Sequence, residues 1–294
     1  MYNTTGMKKI AIIGATGMIG QPVTKAFINA GFEVTILVRN IEKAQSIFRN
    51  AVNYIRGDLK EMESVKKLLS QQDYLYINLS VEPKSRENDF QPERDGLDNV
   101  LAAVKDSGLK RIGYLSSLVQ QYEGQHGFSW WVFKLKQQAV SKIKSSHIPY
   151  VVFYPSTFME NFDKGAYRQG DFITLAGTSA FKMFLVAADD YGKQVARAFE
   201  LDNGNQEFII QGQEGFTADE AADFYRKHCT TSNIKVVTAP LKMLRLMGCF
   251  INNFRYGAKI IEALNNYPEK FEAEKTWEML GKPATKFEDY INTQ

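Results

Sequence analysis

Lys8-Lys9-Ile10-Ala11-Ile12-Ile13-Gly14-Ala15-Thr16-Gly17-Met18-Ile19-Gly20 is the stretch whose reading decides the fold. Ile10 to Ile13 is a short continuous apolar run of the buried-strand kind. A glycine-rich loop follows at once. Residues 21–30 then carry Val23, Phe27 and Ile28 at helical spacing, and Gly31 stops the helix as a C-cap. Residues 33–38 form the next strand. Strand, glycine loop, helix and strand in one short unit is the context that a dinucleotide-binding fingerprint requires. Each glycine has its own task there. Gly14 permits the tight turn, Gly17 lets the backbone approach a pyrophosphate, and Gly20 lets helix and sheet pack closely. The free N–H groups of Met18, Ile19 and the helix start then hold the anion.

The end of the second strand selects between cofactors. Folds that bind NAD carry an acid there for the ribose hydroxyls. This chain has Val38-Arg39-Asn40. A guanidinium is a bidentate phosphate partner, so Arg39, assisted by Thr16 and Lys43, is expected to favour NADP(H) over NAD(H). The alternative is a solvated loop arginine.

The unit then repeats. Strands are expected over 52–56, 73–78, 110–115 and 148–153, and helices over 61–70, 93–107 and 130–146. Alternation of this kind makes a doubly wound parallel sheet of the Rossmann type, whose ligands bind at the carboxyl ends of the strands. Those ends supply Gly14, Arg39, Asp58 with Leu59, Leu79 with Ser80, Ser116, and Tyr154, Pro155, Ser156 and Phe158 as cofactor-binding candidates. Asp58 is either an acceptor for an adenine amino group or a turn residue ahead of the next helix.

Composition bounds the rest. The chain has 294 residues, 44% of them apolar and 23% charged, as expected of an ordinary soluble globule. A net charge of +3 is too balanced for a nucleic-acid footprint. Cys229 and Cys249 form no CxxC, and His126, His147 and His228 form no HExxH, so no metal site is expected. No apolar run reaches the roughly 18 residues of a membrane span, and Met1 to Gly6 is polar, unlike a signal peptide. The expected location is cytoplasmic, as monomer or homodimer.

Gly14 to Gly20, Val38-Arg39-Asn40, Gly57-Asp58-Leu59 and Tyr154-Pro155-Ser156-Thr157-Phe158-Met159-Glu160-Asn161 together resemble the atypical short-chain dehydrogenase/reductases, and within them the NmrA-like NAD(P)H-binding proteins. Asp189-Asp190, Phe208 to Gly212, Phe216-Thr217-Ala218-Asp219-Glu220 and Thr276-Trp277-Glu278-Met279-Leu280-Gly281-Lys282-Pro283 extend the likeness over nearly the whole chain. The resemblance implies a cofactor-binding portion over 1–155 and a smaller, interleaved α+β lobe over 156–294 that covers the nicotinamide.

The superfamily's usual catalyst is a serine with a tyrosine and lysine spaced Y-x-x-x-K. That spacing sets phenol and ammonium on one helix face, where the ammonium lowers the phenol pKa. None of the fourteen tyrosines here has a lysine four residues later. Counting back from Ile148-Pro149-Tyr150, the family lysine falls on Lys136 and the tyrosine position on Val132; a second register pairs Lys134 with Trp130. The usual serine position falls on Leu118. Isoflavone-reductase-like and quinone-reductase-like relatives act without that tyrosine. The first expectation is therefore an NADPH-dependent reductase of a small enone, quinone or aldehyde, with Lys136 holding the ribose or protonating the product. A surface lysine is the other reading of Lys136. The second expectation is a non-catalytic NADP(H)-sensing regulator that binds a protein partner, and the third a nucleotide-sugar epimerase.

If the family topology holds, Tyr122, His126, Trp130, Phe158, Met159 and Asn161 converge above the nicotinamide as an aromatic substrate pocket. Leu241 to Ile251 is apolar nearly all round and methionine-rich, and a second helical segment over 254–264 follows Asn252-Asn253. It reads as a lid, as a hairpin packing on its own lobe or a dimer mate, or as an interfacial membrane helix.

Overall fold

In the computed structural model, which describes residues 7–105, 107–201 and 204–294, the apolar run before Gly14 is strand β1 (Lys9–Ile13). Its side chains alternate across a sheet. Ile10 and Ile12 enter one core, and Ala11 and Ile13 another. A strand buried on both faces must be apolar throughout, which is why the run does not alternate. Met1 to Gly6, and Asp106 within the expected helix 93–107, lie outside the described residues.

α1 (Gly20–Asn29), β2 (Glu33–Val38), α2 (Ile41–Phe48), β3 (Asn53–Arg56), α3 (Met62–Leu69) and β4 (Tyr74–Ile77) follow in turn. α4 (Leu97–Val104), β5 (Arg111–Leu115), α5 (Trp131–Lys144) and β6 (Tyr150–Pro155) continue the alternation. α2 is not among the expected helices; the other bounds meet the expected ones within two residues, except that α4 ends three residues earlier than expected and starts four later. There the turn Pro92–Gly96 is a π-helical turn. Wider winding of this kind is frequent at functional sites, and here it carries Glu93 inward.

The remainder of the chain supplies β7 (Arg168–Gln169), β8 (Phe172–Ala176), β9 (Met183–Phe184), α6 (Ala188–Glu200), β10 (Gln206–Ile210), β11 (Gly215–Phe216) and α7 (Ala218–His228). β12 (Lys235–Ala239), α8 (Leu241–Gly248), α9 (Asn252–Asn266), α10 (Glu274–Leu280) and α11 (Phe287–Asn292) close it. The central sheet is parallel and seven-stranded, in the order β10-β6-β5-β4-β1-β2-β3. Sequence alternation supplied six of these strands. The seventh, β10, pairs with β6 from Gln206 opposite Val151 to Ile210 opposite Pro155.

Residues of α1, α2 and α6 fill the core on one face of the sheet, and those of α3, α4 and α5 the other. On the first face the phenols of Tyr76 and Tyr191 satisfy each other at 2.9 Å. α10 clamps β10, because Thr276 Oγ1 donates to Ile209 O (2.7 Å) and Trp277 Nε1 to Gln211 O (3.2 Å). A second unit gathers around Phe162, Tyr225 and Phe287, with the sheets β12-β8-β7 and β11-β9 and with α7 and α11. Thr217 and Glu220 form a reciprocal capping box at the start of α7.

Candidate functional site

All seven strands of the central sheet run the same way, so their carboxyl ends share one edge. The chain lays β1, β2 and β3 outward on one side and then returns to put β4 on the other side of β1. Ligands of open α/β sheets bind at such a reversal. Gly14 sits at this point. Its φ is +84°, and a Cβ there would stand 1.9 Å from the carbonyl oxygen of Asn78, just beyond β4. Gly20 is equally constrained, with a Cβ 2.0 Å from Gly14 O. Gly17 is not. A Cβ on it would meet Gly14 O at an ordinary 3.4 Å and nothing else of the protein within 4 Å. The fold therefore requires glycine at 14 and 20, whereas a glycine at 17 leaves room for something outside the chain. Its N–H donates to Gly14 O at 3.2 Å, which closes the turn. α1 then starts with no side-chain cap and no acid in its first turn, so its N-terminal dipole faces outward uncompensated.

The other carboxyl ends lie beside this loop. Arg39 is exposed after β2, and among the described residues no carboxylate pairs with it. Asn40 caps α2 by accepting from Lys43 N at 2.7 Å, which commits the Lys43 backbone and leaves its side chain exposed. Asp58 accepts from Lys60 N at 3.0 Å through Oδ1, so the turn role read in the sequence is present. Leu59 is core and packs under Gly96. Leu79 is buried, Ser80 exposed, and the carbonyl of Thr16 accepts from Gln21 Nε2 (3.1 Å). Ser116 is buried and accepts from Gln120 Nε2 at 2.8 Å.

Lys136 faces inward from α5. Its ammonium pairs with Glu93 Oε1 at 2.6 Å, and its side chain is 14% exposed against 0% for Glu93. The surface-lysine reading is thereby corrected: α5 turns Lys134 outward, toward Glu123 at 3.8 Å, and Lys136 toward the π-turn. The buried hydroxyl of Tyr114 donates to the same Glu93 oxygen at 2.9 Å. Burial, reinforced by the Glu93 charge, holds that phenol well above its usual range, so it stays a donor. Glu93 Oε2 is buried with no hydrogen-bond partner among the described residues. Val132, where the family tyrosine would stand, is buried in an apolar cluster, and Leu118 is buried too.

α9 brings a phenol from elsewhere. The Tyr256 ring lies 4.9 Å from that of Trp130. Burial, with Glu93 adding to it, pushes the Tyr256 hydroxyl up to about 12. Glu93, Tyr114 and Tyr256 were not marked in the sequence. An acid just after Pro92 reads there as an ordinary helix-start residue, and no local spacing links it to Lys136.

The remaining candidates separate. Trp130 and Tyr122 are buried together with Phe128 and Phe133, and His126 is exposed. Phe158 and Met159 are buried in two different cores, and Asn161 is half-buried beneath Gly165. Tyr154 turns back along its strand, because its hydroxyl donates to Glu207 (2.8 Å), whose register partner is Val152. Pro155 ends β6, and the Ser156 hydroxyl donates to Glu269 at 2.9 Å. Burial raises the Glu269 carboxyl against the hydrogen bonds from Gln211 and Ser156. Glu160 accepts from Ala188 N (3.0 Å) and so caps α6.

The segment after β12 is a helical hairpin, α8 against α9. α9 is the inner member. Tyr267 donates to Gln121 (3.0 Å), Lys259 lies 4.7 Å over the Phe128 ring, and Asn252 reaches Lys84 O (3.0 Å). The hairpin therefore spans the loops after β4 and β5. Among the described residues there is no cluster of metal-ligating side chains and no helix long and apolar enough to cross a membrane.

The NmrA-like family profile matches residues 6–291. A photosystem II assembly factor, Ycf39, of Trieres chinensis is 24% identical over 296 residues, covering 96% of this chain and 91% of that protein. Among solved structures, a nucleoside-diphosphate-sugar epimerase from Staphylococcus aureus has a TM-score of 0.76 at 17% identity, covering 96% of this chain and 99% of that one. An NADPH-dependent quinone oxidoreductase from Escherichia coli, complexed with NADPH, has a TM-score of 0.71 at 18% identity, covering 97% and 99%. These structural likenesses establish a shared fold.

Proposed function

Because the chain belongs to the NmrA-like family, we propose that it binds NADP(H) at the carboxyl edge and acts as an NADPH-dependent reductase of a small enone, quinone or aldehyde. The observation that carries this reading is the open Cβ direction of Gly17 beside the uncapped start of α1. A pyrophosphate fits in the space beside Gly17 at the N-terminal end of α1, and Arg39, free of carboxylates among the described residues, is available for a 2′-phosphate. The resemblance to quinone and isoflavone reductases supports the same assignment.

Bound NADPH supplies the hydride, since the cofactor carries this chemistry. The chain's own residues bind and orient it. Gly17 and the start of α1 hold the pyrophosphate, and Arg39 holds the adenosine end. Lys136 holds the ribose or gives its proton to the product, and Glu93 with Tyr114 fixes the direction of the ammonium.

The test is to incubate the pure protein with NADPH and a panel of quinones, enones and aldehydes. Oxidation of NADPH with at least one of them is expected, and Lys136→Ala is expected to cut it by ~10², the scale of a positioned acid or base. Tight NADPH binding with no turnover across the panel would reject the reductase reading. It would leave a non-catalytic NADP(H)-sensing protein that engages a partner according to the cofactor form. That second reading is favoured by Val132 at the family tyrosine position and by the tie between Lys136 and Glu93. The epimerase reading depends most on the tyrosine that α5 lacks.

A further inference from the structure

We propose that the outward face of α8 docks the protein on an anionic lipid surface. Met243, Leu246, Met247, Phe250 and Ile251 recur at i, i+3, i+4, i+7 and i+8, so they share one face of α8 and its closing turn. All five are exposed, Leu246 at 65% and Phe250 at 85%. The face turned to the protein is the narrower one, Leu241, Leu244 and Gly248. There α8 presses so closely that a Cβ on Gly248 would stand 2.8 Å from Arg255 Cα. α8 is thus apolar on both faces, and the broader apolar face is the one left in solvent.

The stripe is not a lid over the carboxyl edge. The contacts to Trp130, Phe128 and Gln121 are made by Tyr256 and Lys259 of α9 and by Tyr267 just after it, not by the stripe. The stripe faces outward.

Charge selects the occupant. Between 235 and 266 the chain carries Lys235, Lys242, Arg245, Arg255 and Lys259 against one acid, Glu262. This stretch alone is more basic than the whole chain's net +3. Glu262 is already paired with Arg245 at 2.9 Å. A second copy seated by a two-fold axis would bring the same bases against themselves. An anionic bilayer provides the complement: the apolar stripe enters the boundary between headgroups and chains, and Lys242 and Arg245, exposed on α8 beside the stripe, reach the headgroups.

The full chain should co-sediment with vesicles of phosphatidylcholine mixed with phosphatidylglycerol at least about tenfold more than with phosphatidylcholine alone, and added salt should reverse the difference. Leu246→Asp with Phe250→Asp should abolish it while leaving the thermal unfolding midpoint unchanged, since both side chains lie in solvent. Failure to bind anionic vesicles, or binding indifferent to the double substitution, would overturn the proposal. So would a dimer in solution that the same substitution dissociates, which would assign the stripe to a second copy. None of these readouts depends on the cofactor or on turnover.

Discussion

Lys136 on α5 and Glu93 ahead of α4 are 43 residues apart in sequence, yet the ammonium lies 2.6 Å from Glu93 Oε1. The Tyr114 hydroxyl donates to that same oxygen. A buried ion pair adds little over an apolar pair, but removing one partner strands a charge and costs about 3–5 kcal/mol. Lys136→Ala should therefore lower the thermal midpoint by roughly 5–15 °C. Combining Lys136→Met with Glu93→Gln should recover most of the loss, because no buried charge remains and Tyr114 keeps an acceptor. Differential scanning calorimetry of the wild type and both variants checks this. Equal losses in both would mean that the pair carries no special electrostatic role.

The loop glycines should divide cleanly. Gly14→Ala meets Asn78 O at 1.9 Å with a φ of +84°, so it should unfold the protein or prevent its accumulation. Gly17→Ala meets no such obstacle. It should keep the wild-type midpoint within a few degrees and weaken NADPH by about tenfold or more, because the added methyl occupies the pyrophosphate approach. Titration calorimetry with NADPH, beside thermal melts, separates the two effects.

Arg39→Ala should weaken NADPH by roughly tenfold to a hundredfold, the range of one charge-assisted hydrogen-bonded contact, and leave NADH binding nearly unchanged. Paired titrations with the two cofactors decide it. Equal losses for both would withdraw the 2′-phosphate role and return Arg39 to the solvated loop.

Asp190 predicts an acid limb of stability. Burial raises its carboxyl, but the hydrogen bonds from Thr285 N (2.7 Å) and Lys193 Nζ (2.9 Å) outweigh burial and hold it below the ordinary value. A carboxyl depressed in the folded state stabilises above its unfolded pKa, about 3.9, and loses that contribution as pH falls through the folded value. Denaturant melts should show this decline below pH about 4, and Asp190→Asn should flatten it. An unchanged acid limb in the variant would assign the decline to other carboxylates.

The parallel sheet was legible because its first unit is local. Ile10 to Gly20 states strand, turn and helix within one short stretch, and the glycines at 14 and 20 are demanded by backbone contacts to near neighbours or to the adjoining strand. Asp58 was legible as a turn residue for the same reason. The seventh strand was less so. Gln206–Ile210 enters the sheet only because β6 offers it an edge 55 residues earlier, and no periodicity carries that information. Nor did the apolar run of α8 reveal its exposure. A helix with apolar residues on two faces is compatible with burial on both, and only the position of α9 decided which face stayed outside.

The sequence by itself determined the β-loop-α unit, the uncapped glycine turn, the arginine at the end of β2 and the absence of a Y-x-x-x-K pair. These follow from spacings of a few residues, which steric limits and helix periodicity translate directly into geometry. The tertiary structure decided which lysine of α5 faces inward, which carboxylate meets it, and that Tyr256 comes to Trp130 from the far end of the chain. These depend on packing between elements remote in sequence. Burial there pairs a charge or orients a phenol according to what the neighbouring element presents, and that neighbour is fixed only when the whole chain has folded.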